Sequence, residues 1–188
     1  MPRGKLIVIS APSGAGKTTI AREIMKRNPS LGFSVSATTR PKRNGEIDGK
    51  DYYFLSEEEF RRRVAAGEFV EWEEVYPGKL YGTLKAEVER LLRSGHDVLF
   101  DIDVKGGLAI KRQYPEACLI FVRPPSIEVL KERLANRKTE DAGTIAQRLQ
   151  RVPMELELGN QFDYQVVNDV LSTAVDEVQK IVEEHLQS

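Results

Sequence analysis

The chain has 188 residues, a length typical of one compact domain. Its 28 basic and 29 acidic residues nearly cancel, which argues against a bulk affinity for nucleic acid or for an anionic membrane. The longest unbroken apolar run, residues 117–122, is far shorter than the roughly 20 residues that cross a bilayer, and the N-terminus shows no signal-peptide pattern. Composition therefore excludes a membrane-spanning protein and predicts a compact one.

The few cysteine and histidine residues exclude two further kinds of site, a disulfide and a thiolate–imidazole metal site. The single cysteine, Cys118, excludes an internal disulfide and is typical of a reducing compartment. With only His96 and His185 beside it, the chain has no thiolate–imidazole metal site. We therefore expect a cytoplasmic, single-domain protein.

Four short apolar runs predict buried strands, and amphipathic segments between them predict helices. The predicted strands are residues 6–9, 97–100, 118–122 and the weaker 165–167, and the predicted helices are residues 18–27, 84–93, 127–137 and 175–186. Because the runs are continuous rather than alternating, they favour a parallel sheet covered on both faces. Ser126 is placed to cap the third helix, and Thr173 with Asp176 has the spacing of a capping box for the last. The alternation of strand and helix predicts an α/β fold with right-handed crossovers.

Residues 33–83 interrupt this alternation. Their apolar and polar residues alternate in short stretches, so we expect a small, mainly antiparallel β insertion with one short helix after Ser56. A second irregular zone, residues 138–143, separates two arginine-bearing helices. Pro153 falls inside the later helical pattern, where we expect the helix to bend or break.

A phosphate-binding loop is the clearest motif. The segment Ala11, Pro12, Ser13, Gly14, Ala15, Gly16, Lys17, Thr18 and Thr19 fits the pattern G-x-x-x-x-G-K-[ST], with alanine at the first glycine. The two glycines let backbone N–H groups turn inward around phosphate oxygens. Lys17 reaches the β- and γ-phosphates, and the Thr18 hydroxyl can bind Mg²⁺. Since a predicted strand precedes the loop and a helix follows it, we expect a nucleoside triphosphate here rather than a plain glycine-rich turn.

Two aspartates follow the second predicted strand. Asp101 ends this strand and Asp103 comes two residues later, so both side chains point the same way on an extended segment. Acidic residues at the carboxyl end of such a strand face the ligand crevice, where Asp101 can hold the water shell of a metal ion. A loop-capping pair is the alternative.

Together these motifs resemble the guanylate kinase family, whose members move the γ-phosphoryl group of ATP to GMP. The resemblance covers residues 6 to about 169 and is carried by the phosphate-binding loop and by residues 33–41, 44–54, 69–72, 81–83 and 101–103. It implies a Mg²⁺-dependent phosphotransferase that acts by direct in-line transfer with domain closure, on the small-molecule substrates ATP and GMP. It also implies a three-layer P-loop core (1–32, 84–125 and 145–188), a GMP-binding insertion (33–83) and a helical lid (126–144).

The resemblance further implies the site residues. The GMP phosphate would be held by Arg40, Arg43, Tyr52 and Tyr81. Glu71 would read guanine, because a carboxylate accepts from both N1–H and the 2-amino group; Ser36 and Thr83 would donate to O6, and Glu46 would orient the arginines. Asp101 and Asp103 join the GMP site, and Asn168 lies near the adenine of ATP. The implied catalytic set is Lys17, Arg40, Asp101 and the lid arginines Arg133, Arg137 and Arg148.

Without the resemblance, several of these residues have a plainer interpretation. Glu71 lies among other glutamates, as on a solvated strand face, and the lid arginines have the spacing of ordinary helix surface pairs. Two alternative functions follow: a binding module that keeps the fold without the activity, or a kinase for another acceptor such as AMP, UMP or a small metabolite. The sequence leaves the oligomeric state open.

Overall fold

The computed structural model describes residues 4–136 and 141–188. Within these ranges the chain forms two sheets and seven helices. The strands are β1 (Leu6–Ser10), β2 (Gly32–Phe33), β3 (Ala37–Thr38), β4 (Tyr53–Phe54), β5 (Phe69–Tyr76), β6 (Lys79–Leu84), β7 (Val98–Asp101), β8 (Cys118–Arg123) and β9 (Tyr164–Val167). The helices are α1 (Lys17–Arg27), α2 (Glu57–Ala65), α3 (Lys85–Arg93), α4 (Val104–Gln113), α5 (Ile127–Ala135), α6 (Ala142–Gly159) and α7 (Leu171–Gln187).

The larger sheet has five strands in the order β2-β7-β1-β8-β9, and every pairing in it is parallel. All four predicted strands lie in this sheet, which confirms the α/β fold class. Phe33 differs from its predicted place, because it pairs with Leu99 of β7 and so belongs to the larger sheet. A two-residue edge strand is too short for its periodicity to reveal which sheet it joins.

Helices cover both faces of the larger sheet. Ile7 and Ile9 of β1 pack in a cluster with side chains of α1, α5 and α7, whereas Leu6 and Val8 pack in a second cluster with α3 and α4. Both faces are therefore buried, which explains the continuous apolar runs. The result is the predicted three-layer arrangement.

The smaller sheet has the order β4-β3-β6-β5 and is mainly antiparallel, as predicted. The β5–β6 and β3–β6 pairs are antiparallel, and only β3 and β4 run parallel. It has its own small core, in which Phe60 of α2 stacks on Phe69 of β5 with ring centroids 4.4 Å apart.

Helix starts test the capping predictions. The side chains of Ser56 and Ser126 accept backbone N–H groups at the starts of α2 and α5, as expected. The capping box predicted for the last helix is wrong: α7 begins at Leu171, and Val170 precedes it without a side-chain cap. The buried face of α7, which begins at Ala174, positions the helix instead.

Two further differences concern helix interiors. Pro153, where we expect a bend or a break, does not break the helix, since α6 continues through it while the neighbouring Val152 is buried in the core. Packing thus offsets the backbone hydrogen bond that proline cannot make. Helix α4 was not predicted, because Gly106 and Gly107 are weak helix formers; there, a side chain at Gly107 would lie 2.7 Å from the Phe162 ring.

None of the helices in the described ranges is long and apolar enough to span a bilayer. The helix predicted for residues 127–137 ends at Ala135. Arg137, one of the predicted lid arginines, lies outside the described residues.

Candidate active site

A cleft of about 260 Å³ lies between the phosphate-binding loop and the smaller sheet. Most residues that the sequence singled out line this cleft, although they come from segments that are far apart in the chain. From the loop side come Ala11, Pro12, Ser13, Gly14, Gly16, Lys17, Thr18 and Thr19; from the other walls come Ser36, Arg40, Arg43, Tyr52, Glu71, Tyr81, Asp101, Asp103 and Arg148. The remaining described candidates do not line the cleft. The residues that line it are contacted from behind by Ala15, Glu46, Thr83 and Asn168, and Arg133 contacts Asn168.

The phosphate-binding loop joins β1 to α1, as its motif predicts. Gly14 and Gly16 have φ angles of 88° and 94°, a region that favours glycine. At Gly16 a side chain is also excluded by space, since its Cβ would lie 2.4 Å from the Asn168 amide nitrogen. Ala11 is compatible with the loop because no described residue other than glycine has a positive φ.

Lys17 and Asp101 form an ion pair in the cleft, with Nζ and Oδ1 2.6 Å apart. Burial disfavours the charge of Lys17, but Asp101 and the neighbouring acidic groups outweigh it and raise the pKa of the lysine. Lys17 is therefore a fixed cation at the start of α1, where the helix N-terminus also favours an anion.

Arg40 is held from two sides. Its guanidinium makes a two-pronged contact with Glu46, with N–O distances of 2.7 and 2.5 Å, and its Cζ lies 4.8 Å from the Tyr52 ring centroid. Hydrogen bonds from Arg40 lower the pKa of Glu46 to about 2. The ring of Tyr81 meets that of Tyr52 edge-on at 6.2 Å. Glu46 thus holds the guanidinium of Arg40, and the rings of Tyr52 and Tyr81 lie beside it.

Glu71 is half-buried in the cleft rather than part of a solvated strand face. It accepts the Thr83 hydroxyl at 2.6 Å, and burial raises its pKa to about 7. Glu74, on the same strand, is exposed. A Cβ at Gly106 would lie 2.9 Å from Glu71 Oε2 and 3.2 Å from Asp103 Oδ1, so the two carboxylates converge on the glycine at the start of α4.

The two described lid arginines contact the phosphate-binding loop or the segment behind it. Arg148 of α6 donates to the Ser13 hydroxyl. Arg133 of α5 donates to the backbone carbonyl of Asn168 at 3.0 Å, and the Asn168 amide donates to the Ala15 carbonyl at 2.8 Å. Of these two, Arg148 lines the cleft, whereas Arg133 lies behind the loop and contacts the segment that follows β9.

Sequence reasoning missed part of the cleft. Glu73, Tyr76 and Glu155 also line it, and Arg151 contacts Glu73 from helix α6. Arg148, Arg151 and Glu155 are three and four residues apart, the spacing of one helical face, so periodicity could have grouped them. The spacing alone does not indicate a cleft, because charged residues at this spacing usually lie on the solvent-exposed face of a helix.

The oxygen donors of the cleft fit Mg²⁺ in the manner of a nucleotide-bound ion. Thr18 is exposed in the cleft and offers a hydroxyl, while Asp101 offers a carboxylate nearby. Residues 4–136 and 141–188 contain no group of three or more acidic, histidine or cysteine side chains that could hold a metal ion. Mg²⁺ is commonly bound by one or two protein oxygens, with waters and substrate phosphates completing the shell.

Comparison with known proteins decides the family. The family model described as guanylate kinase matches residues 3–185 of the chain. The chain belongs to the guanylate kinase family. This confirms the resemblance inferred from the motifs and makes the protein an enzyme, a kinase, rather than a binding module.

Individual guanylate kinases align over nearly the whole chain. The guanylate kinase of Symbiobacterium thermophilum is 50% identical, covering 96% of this chain and 85% of its own. That of Salinibacter ruber is 49% identical over the full length of both chains. The crystal structure of guanylate kinase from Anaplasma phagocytophilum superposes with a TM-score of 0.81 at 30% identity, covering 100% of this chain and 89% of that one.

Proposed function

We propose that this guanylate kinase family member transfers the γ-phosphoryl group of ATP to GMP, giving ADP and GDP, with Mg²⁺ as cofactor. The observation that carries the proposal is the shared cleft, which is lined both by Lys17 of the phosphate-binding loop and by Glu71 of the smaller sheet. A triphosphate site and a guanine site then open into one space.

Three parts of the chain divide the work in this proposal. Residues 1–32, 84–125 and 145–188 form the core that binds ATP, residues 33–83 form the insertion that binds GMP, and residues 126–144 form the lid. The smaller sheet, with its own core around Phe60, supports an insertion that moves as a unit. Closure of insertion and lid would exclude water and prevent wasteful hydrolysis of ATP.

On the ATP side, backbone N–H groups of residues 11–19 surround the phosphates, and Lys17 binds the β- and γ-phosphates. Thr18 would hold Mg²⁺, with Asp101 orienting its water shell; the ion neutralises phosphate charge as the phosphoryl group moves. Asn168, fixed to the loop through Ala15, lies beside the adenine.

On the GMP side, Arg40, Arg43, Tyr52 and Tyr81 hold the phosphate; a guanidinium fork suits a dianion, and phenol hydroxyls add neutral donors. Glu71 and Asp103 accept from the N1–H and 2-amino groups of guanine, and the buried hydroxyl of Ser36 donates to O6. The Thr83 hydroxyl, whose single hydrogen is donated to Glu71 in the free enzyme, would turn to O6 when guanine binds. Adenine presents the opposite pattern of donors and acceptors, so the same groups reject it.

Transfer itself requires alignment and charge neutralisation. The GMP phosphate is largely a dianion at neutral pH, because its second pKa is about 6, and so it attacks without a general base. Arg133 and Arg137 of the lid and Arg148 of the following helix would surround the transferred group, together with Lys17 and Arg40. Their positive charges stabilise a loose, in-line transition state.

An acceptor panel tests the function. With ATP and Mg²⁺ present, ADP formation is expected to be fast with GMP and at least about 100-fold slower, by kcat/KM, with AMP or UMP, since their base edges leave buried polar groups unpaired. An acceptor that matches GMP would identify a different kinase. Absence of ADP with every acceptor would contradict the proposed reaction.

GMP binding is expected to weaken as the pH falls below 7. The raised pKa of Glu71, about 7, means that its carboxylate is ionised above that pH and protonated below it. Since only the carboxylate accepts both guanine donors, KM for GMP should rise about tenfold per pH unit below the pKa. The measurement is KM for GMP between pH 8.5 and 6.

The GMP phosphate also takes up a proton near pH 6, and the variant Glu71→Gln separates the two effects. In that variant the slope of log KM for GMP against pH should be smaller by about one, and the slope that remains comes from the other titrating groups, such as the GMP phosphate. An unchanged slope would mean that Glu71 does not titrate on binding.

A further inference from the structure

Arg151 joins helix α6 to the far wall of the cleft. Its Nη1 donates to the backbone carbonyl of Val75 on β5 at 2.8 Å. Its Nη2 lies 3.4 Å from Glu73 Oε1 and 3.8 Å from Asp103 Oδ2, and its Nε lies 3.4 Å from Glu155 Oε1. One guanidinium therefore contacts three carboxylates from three different elements.

These contacts lie in a crowded acidic region. Glu73 and Asp103 are close enough to interact directly, and burial together with Glu73 raises the pKa of Asp103. Asp103 also converges with Glu71 at Gly106. Like charges this close repel, so without a cation the carboxylates would separate or take up protons.

The cationic side chains around the cleft differ in how well they can neutralise the carboxylates of Glu73 and Asp103. Lys105 reaches Glu73 at 2.8 Å, but half of its side chain is exposed, so water screens its charge. Lys17 pairs with Asp101 and Arg148 donates to Ser13. Among the described residues, Arg151 is the one whose cationic group lies within 4 Å of the Asp103 carboxylate, and its side chain is only 16% exposed.

The position of Asp103 matters for one atom of the base. Its backbone is fixed as the N-cap of α4, where Oδ1 accepts the Gly106 N–H at 2.7 Å. The second carboxylate oxygen, Oδ2, is buried, and no N–H or O–H donor of the described residues hydrogen-bonds to it, although the side chain of Glu73 lies beside that of Asp103. With Glu71 accepting N1–H and one hydrogen of the 2-amino group, Oδ2 is the acceptor left for the second amino hydrogen.

Resting on the guanine site proposed above, we propose that Arg151 is a positioning residue for recognition of the 2-amino group of guanine. By contacting Glu73 and Asp103 together it holds Asp103 Oδ2 in place as an acceptor for that group. Hypoxanthine, the base of IMP, has the same N1–H and O6 but lacks the amino group. Arg151 therefore sets the preference for GMP over IMP without touching the nucleotide.

The variant Arg151→Gln tests this, with KM and kcat measured for GMP and for IMP. KM for GMP is expected to rise about tenfold, the loss of one charge-assisted hydrogen bond, while KM for IMP changes less than about twofold. The GMP/IMP preference in kcat/KM should then fall about tenfold, with KM for ATP unchanged. Arg93→Gln is the control, because Arg93 is exposed on α3 and far from the cleft.

A purely structural role would weaken GMP and IMP alike, and that result, or no change in either, would overturn the proposal. If Arg151→Gln does not fold, Glu73→Gln/Arg151→Gln avoids the unpaired Glu73 charge. This double variant should still show a GMP/IMP preference at least about threefold below that of Glu73→Gln alone, because Asp103 loses its cation. Equal preferences would overturn the proposal.

Glu71→Gln distinguishes this inference from the site on which it rests. If Glu71→Gln weakens GMP and Arg151→Gln leaves the GMP/IMP preference intact, only the role of Arg151 fails. If neither variant affects GMP, the guanine site itself is misplaced.

Discussion

Replacing Lys17 with alanine is expected to lower kcat about 1,000-fold while the fold remains intact. Lys17 is the fixed cation of the phosphate-binding loop, and removal of one preorganised charge from a phosphoryl-transfer site costs at least two to three orders of magnitude. The substitution also leaves Asp101, now without its partner at 2.6 Å, beside the phosphates of ATP. Its negative charge would then repel the substrate.

The double variant Lys17→Ala/Asp101→Asn measures this second effect. It should recover part of the affinity for ATP, because the unpaired carboxylate is gone, but little of kcat. Lys26→Ala is the control, since Lys26 is exposed on the same helix and pairs with Glu23. Steady-state turnover and thermal unfolding are the measurements. Near-normal turnover in Lys17→Ala would end the assignment of this loop to ATP.

Substitution of Glu71 by glutamine is expected to lower kcat/KM for GMP about 100-fold. Glutamine keeps the size of the side chain but replaces one acceptor oxygen with an NH₂ group, which faces the N–H donors of guanine and leaves polar groups unpaired. The loss should fall mainly on KM for GMP, with KM for ATP unchanged. Glu74→Gln, exposed on the same strand, is the matched control.

Stability separates lost recognition from misfolding in this variant. Because burial raises the pKa of Glu71, the folded state favours the protonated form, and ionisation above the unfolded pKa destabilises the free enzyme. At pH 8 the neutral glutamine removes that cost. The thermal midpoint of Glu71→Gln should therefore equal or exceed that of the unaltered enzyme, and unchanged GMP affinity would remove Glu71 as the base reader.

The sequence predicted the features that depend on local chemistry. Buried parallel strands need continuous apolar runs, and a loop that surrounds phosphate needs Gly14, Gly16 and Lys17, so both were visible in the chain. Resemblance to a family then supplied the guanine side. Local patterns alone left Glu71 ambiguous, because burial of a single carboxylate is decided by the fold around it.

The features that were missed depend on contacts between distant segments. Helix α4 forms despite Gly106 and Gly107, since their lack of side chains lets Glu71 and Phe162 approach the helix closely. Helix α6 continues through Pro153 because packing holds it. Arg151 of α6 donates to the backbone carbonyl of Val75 on β5, a contact between distant segments that no local pattern shows. In each case tertiary packing outweighed the local preference.

The ion pair between Lys17 and Asp101 has a consequence for which anions the loop admits. An incoming ligand must exchange for a carboxylate that already neutralises the lysine. Chloride or a weakly charged oxyanion gains little from such an exchange. A polyphosphate with its divalent cation carries charge of both signs, so it can displace Asp101 from Lys17 and pair with both side chains. We therefore expect the ion pair of Lys17 with Asp101 to weaken the binding of small anions to the free loop.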